Sequence, residues 1–156
     1  MPGRLQAEIQ QRRGFRAVEE EALLNILRTA DSLTRAFEEA FKPAGLSATQ
    51  YNVLRILRGA GTDGLACRQI GERMITHDPD ITRLLDRLES RGLVARARDR
   101  RDRRVVTTRI TASGLRLLDR LDPVVAGLDR ALLAHLGRAR LRRLIGLLER
   151  VRAGKR

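Results

Sequence analysis

Residues Cys67 to Thr111 read CRQIGERMITHDPDITRLLDRLESRGLVARARDRRDRRVVTTRIT. This stretch decides the fold. A helix over about Ala66–Met74 and a second one beginning near Asp78 are separated by a sharp turn. Two β-rich segments, Leu93–Arg98 and Val105–Ile110, then flank an arginine-crowded tip, Asp99-Arg100-Arg101-Asp102-Arg103-Arg104. Helix, turn, helix and hairpin in that order make a helix-turn-helix followed by a wing. Such a unit can offer one helix to a major groove and a cationic loop to the groove beside it. From Arg83 to Arg109 there are ten arginines (83, 87, 91, 96, 98, 100, 101, 103, 104, 109) and four acids (Asp86, Glu89, Asp99, Asp102), about +6 net. That charge suits a polyanion, and a solvated basic surface with no partner is the bland alternative.

The second helix of the pair has the clearest entry signal. Asp78 is placed as N-cap, Pro79 at the first helical position and Asp80 near the positive end of the dipole. Ile81, Leu84, Leu85 and Leu88 recur at helical spacing and form the buried face. At about 100° per residue, Arg83, Asp86 and Ser90 lie opposite, with Arg87 beside them. Gly92 ends the helix as a left-handed cap. As recognition residues, Arg83 and Arg87 can each donate two hydrogen bonds to guanine or bind phosphate, and Thr82 can touch a thymine methyl. Asp80 either accepts from cytosine or caps the helix. His77 reaches phosphate or is an ordinary surface histidine. Arg68, on the first helix of the pair, completes the cationic side. In the wing, Arg101, Arg103 and Arg104 are the inserting or phosphate-binding set, and Asp102 is expected to hold Arg104 by a bidentate pair.

Outward from this core the chain is helical. Val18, Ala22, Ile26, Ala30, Leu33, Phe37 and Phe41 form one stripe between Phe15 and Phe41, a rod of roughly 40 Å. That exceeds what a small domain needs, so part of the stripe is expected to face another subunit. Lys42-Pro43-Ala44-Gly45 ends it, and Ser47-Ala48-Thr49-Gln50 reads as a capping box opening the next helix, whose apolar side is Tyr51, Leu54, Ile56 and Leu57. After the hairpin, Thr111 caps a helical pattern running to about Leu136. Pro123 should kink it or break it in two. Gly137 precedes a last helix, Arg138–Arg152, striped by Leu141, Leu144, Ile145, Leu148 and Val151. The resulting organisation is an N-terminal arm (1–14), a long first helix (15–44), a winged helix-turn-helix lobe (45–111) and C-terminal helices (112–156). The fold class is mainly α with a small two- or three-stranded antiparallel wing.

Composition narrows the function classes. The chain has 156 residues, 42% hydrophobic, and a formal net charge of +13, which points to nucleic acid or an anionic surface. No apolar run approaches the ~20 residues that span a bilayer, so no membrane partner is expected. The first residues lack the apolar segment of a signal peptide, and the single cysteine fits a reducing cytoplasm, with association to the nucleoid. The two histidines, His77 and His135, and Cys67 have no zinc-site spacing, so neither metal nor cofactor is expected. No Gly-rich phosphate loop, His-Glu-x-x-His or Gly-x-Ser-x-Gly is present, so no catalytic residues are assigned and an enzyme is not expected.

Three pieces of the chain resemble the MarR-type winged helix-turn-helix regulators: Ile81–Glu89 followed by Arg91-Gly92-Leu93-Val94; Asp99–Arg104; and Ile110-Thr111-Ala112-Ser113-Gly114. The Asp-x-Arg of the wing, Asp102 and Arg104, is the most specific. The recognition-helix entry, His77-Asp78-Pro79-Asp80, departs from many members, which carry Ser or Lys there. The resemblance implies a homodimer built by the first and last helices, bound to double-stranded DNA at a pseudo-palindromic operator. It further implies a repressor released by a small, often aromatic or phenolic, effector. Tyr51, Phe37 and Phe41 would then line the ligand pocket, or Tyr51 is a core aromatic. Some relatives sense oxidants through a thiol. Cys67 beside Arg68 sits in an electropositive setting at a helix start, or is a small unreactive cysteine. A nucleoid-type architectural protein is the rival reading, suited by the overall charge and by the arginines at 138, 140, 142, 143, 150, 152 and 156.

Overall fold

The computed structural model describes residues 3–154. Two compact units are present, one ending at Phe37 and the other running from Glu38. The first holds a short helix, α1 (Arg4–Glu8), and most of the long α2 (Val18–Phe41). Glu19, Glu20 and Glu21 stand in the first turn of α2, where the positive end of the helix dipole favours carboxylates. The stripe read from the sequence is largely uncovered in the single chain: Val18 is 74% exposed, Ala22 and Ala30 are exposed, and Ile26 and Leu33 are half-buried; Leu23 and Leu27, outside the stripe, are exposed as well. Only Phe41, at the helix end, is buried.

The second unit begins at that end. A 3-10 turn, Lys42–Ala44, closes on Gly45, whose φ of 65° is left-handed and favours glycine. The expected capping box opens α3 (Ala48–Ala60): Gln50 N–H donates to Ser47 Oγ and Ser47 N–H to Gln50 Oε1, each at 3.0 Å. The buried side of α3 is Tyr51, Val53, Leu54 and Leu57; Val53 takes the place expected of Ile56, which is half-buried. A two-residue strand β1 (Leu65–Ala66) leads into α4 (Cys67–Arg73), then α5 (Ile81–Ser90), β2 (Val94–Arg98), β3 (Val106–Ile110), α6 (Ala112–Leu133) and α7 (Arg138–Ala153).

The sheet has three antiparallel strands in the order β1-β3-β2. Leu65 faces Thr108, and the β2–β3 register runs from Val94↔Ile110 to Arg98↔Val106. Gly64 is needed beside it: its φ is +71°, and a Cβ there would lie 2.6 Å from the Thr108 carbonyl oxygen. The core of this unit is aliphatic and draws on every helix but α7: Phe41, Leu54, Leu57, Ile70, Leu85, Leu88 and Leu118 are at most 1% exposed.

Two boundaries differ from the sequence reading. The N-cap of α5 is Asp80, not Asp78: Asp80 Oδ1 accepts from Arg83 N–H at 3.1 Å. Asp78 is used one turn earlier, where its Oδ1 accepts from Asp80 N–H at 2.8 Å across Pro79. That turn occupies 78–80, so the helix starts after it. The other lies at Pro123, where of the expected kink or break the break does not occur: α6 runs on past it as one helix. Proline removes one N–H and crowds the carbonyl four residues before it, here Asp119. Pro123 and Asp119 are both exposed, so water can satisfy that carbonyl. Helix α6 gives way to the 3-10 turn Ala134–Leu136, and Gly137, φ 75°, separates it from α7 as expected.

Candidate nucleic-acid interface

The amphipathic pattern of α5 sets which side chains reach outward. Leu84, Leu85 and Leu88 are buried, while Thr82, Arg83, Asp86, Arg87 and Ser90 are exposed. His77, Asp80 and Arg68 are exposed too. Asp80 is occupied as the helix cap, and Arg68 Nε donates to Glu72 at 2.9 Å along α4. Small size at Gly71 matters for the pairing of the two helices, because a Cβ there would meet the Ile81 side chain.

Acid placement separates this surface from a generic basic one. Each of the four carboxylates between Arg83 and Arg109 accepts hydrogen bonds from within the protein. Glu89 takes Arg96 Nε at 2.9 Å, Arg96 Nη2 at 2.5 Å and the Arg96 backbone N–H at 3.1 Å; Asp86 takes Arg96 Nη2 at 2.5 Å. The Arg96 side chain thus lies across both acids, fastening β2 to α5. Its hydrogen bonds hold the Glu89 carboxyl below the usual carboxylate range. Asp99 accepts from the backbone N–H groups of Arg101 (2.7 Å) and Asp102 (3.2 Å), an Asx turn that holds its pKa low.

The sequence reading has Asp102 gripping the Arg104 guanidinium. Instead its Oδ1 accepts the backbone N–H of Arg104 at 3.0 Å. Two residues is too short a separation for the long arginine stem to fold back when the nearby amide competes, so Asp102 shapes the loop and leaves the guanidinium outside. Asp99 N–H to Val105 O (2.8 Å) and Val105 N–H to Asp102 O (3.0 Å) close the tip. Among the described residues, the guanidinium groups of Arg83, Arg87, Arg101, Arg103 and Arg104 meet no carboxylate. Acids taken up by hydrogen bonds within the protein and arginines left to solvent make a surface suited to phosphate.

Two further ties fix the surface on its support. Arg91 sends a fork from the end of α5 to the turn after α2, Nη1 to Gly45 O at 2.7 Å and Nη2 to Ala44 O at 2.9 Å. Thr111, the N-cap of α6, accepts from Gly114 N–H at 3.1 Å and donates through Oγ1 to Gly92 O at 2.6 Å. The sequence alone singles out none of Asp99, Arg96 and Arg91 for these roles. The Asx turn at Asp99 has a local signal, since aspartate two residues before the turn favours it. Arg96 and Arg91 act across elements and have none.

The candidate ligand residues lie elsewhere. Phe41 and Tyr51 stack at 4.3 Å between centroids and 26° between planes, both buried, so the two rings fill their own space. Burial pushes the Tyr51 hydroxyl up, against the opposing pull of Arg55, whose guanidinium sits 6.0 Å over the ring. Beside them Arg58 bonds Asp122 twice, at 2.8 and 3.0 Å, tying α3 to α6. Phe37 is half-buried and belongs to the other unit. Cys67, half-buried, carries a free thiol. No group of three or more His, Cys, Asp or Glu side chains among the described residues is placed to hold a metal ion. No described helix is long and apolar enough to cross a membrane.

Comparison with known proteins agrees with this geometry. A model of the MarR family matches residues 46–106, the winged lobe. YkoM of Bacillus subtilis (strain 168), an uncharacterized HTH-type transcriptional regulator, is 32% identical over 108 residues, covering 62% of this chain and 69% of that protein. The MarR transcription factor from Planctomyces limnophilus is 44% identical, with 86% of this chain and 98% of that one superposed at a TM-score of 0.68. CouR from Rhodococcus jostii RHA1, solved bound to p-coumaroyl-CoA, is 26% identical at a TM-score of 0.74, over 88% of this chain and 95% of that one. A winged helix-turn-helix with hydrogen-bonded acids and outward arginines, and this similarity along most of its length, place the chain in the MarR family of DNA-binding transcriptional regulators.

Proposed function

We propose that this regulator binds a pseudo-palindromic operator as a homodimer and represses transcription until a small aromatic effector releases it. Arg83 and Arg87 read bases or grip phosphate, and Thr82 lies on the same face. Arg101, Arg103 and Arg104 enter the adjacent minor groove or hold its phosphates, and Asp102 shapes their loop. Arg68 and His77 contribute backbone contacts, and Asp80 serves as the cap. The observation that carries the reading is the division of labour among charges on α5 and the wing: every acid is hydrogen-bonded within the protein, while among the described residues Arg83, Arg87, Arg101, Arg103 and Arg104 meet no carboxylate.

Uncovered apolar side chains support the dimer: Val18, Leu23 and Leu27 on α2, and Leu144, Ile145, Leu147 and Val151 on α7. Two recognition helices must then lie one duplex turn apart, roughly 34 Å. An effector that prefers another spacing weakens DNA binding by its differential affinity, typically ~1–3 kcal/mol. Phe41 and Tyr51 are proposed to contact it, and the p-coumaroyl-CoA bound to CouR supports an aromatic ligand class. Such a protein works in the cytoplasm, at the nucleoid.

The test compares affinity for the chain's own upstream DNA with affinity for random duplex at physiological salt. A ratio of ~10³ or more fits the regulator, and one near unity fits an architectural coat. Operator affinity unmoved by a panel of aromatic acids would remove the effector from the proposal.

A further inference from the structure

The net charge of this chain is confined to two places. Residues 1–82 carry eleven basic and eleven acidic side chains, and residues 110–137 carry three of each. The excess lies in 83–109, which holds α5 and the wing, and in 138–156, where eight basic residues face one acid, Glu149. The second stretch alone is worth +7 of the chain's +13, slightly more than the DNA-facing lobe. A winged lobe gives it no task.

Helix α7 displays that charge. Its six arginines (138, 140, 142, 143, 150, 152) are all exposed. Among the described residues none of them forms an ion pair, although most other helices carry at least one such pair. At about 100° per residue, Arg138, Arg142, Arg143 and Arg150 share an arc of roughly 140°, with Glu149 inside it, opposite the stripe of Leu141, Leu144, Ile145, Leu148 and Val151. The main intrachain packing of α7 is on the 3-10 turn before it. Between that turn and the sheet lies α6, 22 residues or roughly 33 Å of helix.

We propose that this arginine face is a second, sequence-independent surface for the phosphate backbone of duplex DNA, separate from α5 and the wing, so that one protein holds two duplex segments. Guanidinium groups match phosphate by paired hydrogen bonds, and unpaired exposed ones release counterions on contact. An anionic membrane fits less well. A helix lying on a bilayer must sink its apolar face into lipid, and in α7 that face is the stripe proposed to meet a second copy of the chain. The inference stands on the charge of α7 and takes from the operator-binding reading only the identity of the polyanion.

The test uses the full chain with Arg138, Arg142, Arg143 and Arg150 changed together to Gln, and separately to Lys. Binding to random-sequence duplex is followed from 50 to 200 mM salt in a background with Arg101, Arg103 and Arg104 changed to Gln, so that the winged lobe does not mask binding by α7. The Gln variant should lower the salt exponent by about 3 to 4, and the Lys variant should keep it. A protein already holding its upstream DNA should capture a second labelled duplex, and the Gln variant should not. If the quadruple variant loses helicity, Arg142→Gln and Arg150→Gln singly should each lower the exponent by about 0.9. An Arg101, Arg103 and Arg104→Gln variant separates the two readings: it should lose operator binding and retain α7-dependent binding. An unchanged exponent in the α7 variant overturns the proposal while leaving the winged lobe intact as a binder. So does a loss confined to phosphatidylserine vesicles. Absence of any DNA binding by the native chain overturns both.

Discussion

Replacing Thr111 by valine should loosen the joint between the recognition helix and α6 without opening a cavity. The two side chains are nearly the same shape, so only the hydroxyl changes. In the native joint that hydroxyl accepts from Gly114 N–H at 3.1 Å and donates to Gly92 O at 2.6 Å, while Thr111 N–H donates to Leu93 O at 3.1 Å. Losing a helix N-cap costs about 1 kcal/mol, and losing the bond to the carbonyl adds about 1 more. Gly92 is exposed, so water replaces part of the second contribution. The expected loss is therefore about 1–2 kcal/mol. At this chain length it lowers Tm by about 2–8 °C. Urea titration at fixed protomer concentration measures it, because any self-association would make the midpoint concentration-dependent. Thr111→Ser keeps both hydrogen bonds and should stay within ~0.5 kcal/mol of the native chain. A valine variant as stable as the native chain, or a serine variant as damaged as valine, would refute this account of the joint.

Arg83→Ala should cost ~1–3 kcal/mol on the preferred DNA site and relax its sequence preference, whereas Arg104→Ala should weaken binding to all duplexes and flatten the salt dependence. Equal losses on specific and random DNA for Arg83→Ala would take it out of base reading. Arg96→Met should weaken DNA binding by freeing the Asp86 carboxylate beside the phosphates, and adding Asp86→Asn should restore part of the affinity; no recovery in filter binding would deny Asp86 that role. Finally, the Arg58 hydrogen bonds hold the Asp122 carboxyl below its ordinary value. A depressed folded pKa contributes stability that is complete above the unfolded value, about 3.9, and disappears as pH falls through the folded one. The stability gap between native chain and Asp122→Asn should accordingly narrow between pH 6 and pH 3, and a gap that ignores pH would show that the pair contributes nothing through charge.

Much of the fold is legible in the sequence because its signals are local. The capping box at Ser47, the apolar spacing of Leu84, Leu85 and Leu88, and Gly92 after them each specify their own element within a few residues. The start of α5 is harder to read because Asp78 and Asp80 have the same capping chemistry, and only the chain's turn about Pro79 decides between them. At Pro123 the sequence leaves a kink or a break open, and only the break is excluded. The proline's disruption depends on whether the stranded carbonyl reaches water, which is a matter of tertiary exposure. On the side proposed to face DNA, the periodicity that buries the three leucines also turns Arg83 and Arg87 outward. The partners of Arg96 and Arg91 cannot be read, since helix-to-strand and helix-to-turn distances depend on packing rather than on spacing along the chain. Asp102 shows the converse limit: a motif can be located correctly while its bond goes to the backbone amide and not to the guanidinium.

The fork from Arg91 to the carbonyls of Ala44 and Gly45 has a consequence for how this lobe tolerates change. It anchors the far end of the reading helix to main-chain atoms, which every amino acid supplies. Position 44 can therefore drift in identity without altering the helix's tilt, provided Gly45 keeps the backbone curl that aims both oxygens the same way. The tolerance does not extend to the arm itself. A lysine at 91 is a point donor on a supple stem and would let the helix pivot about a single bond.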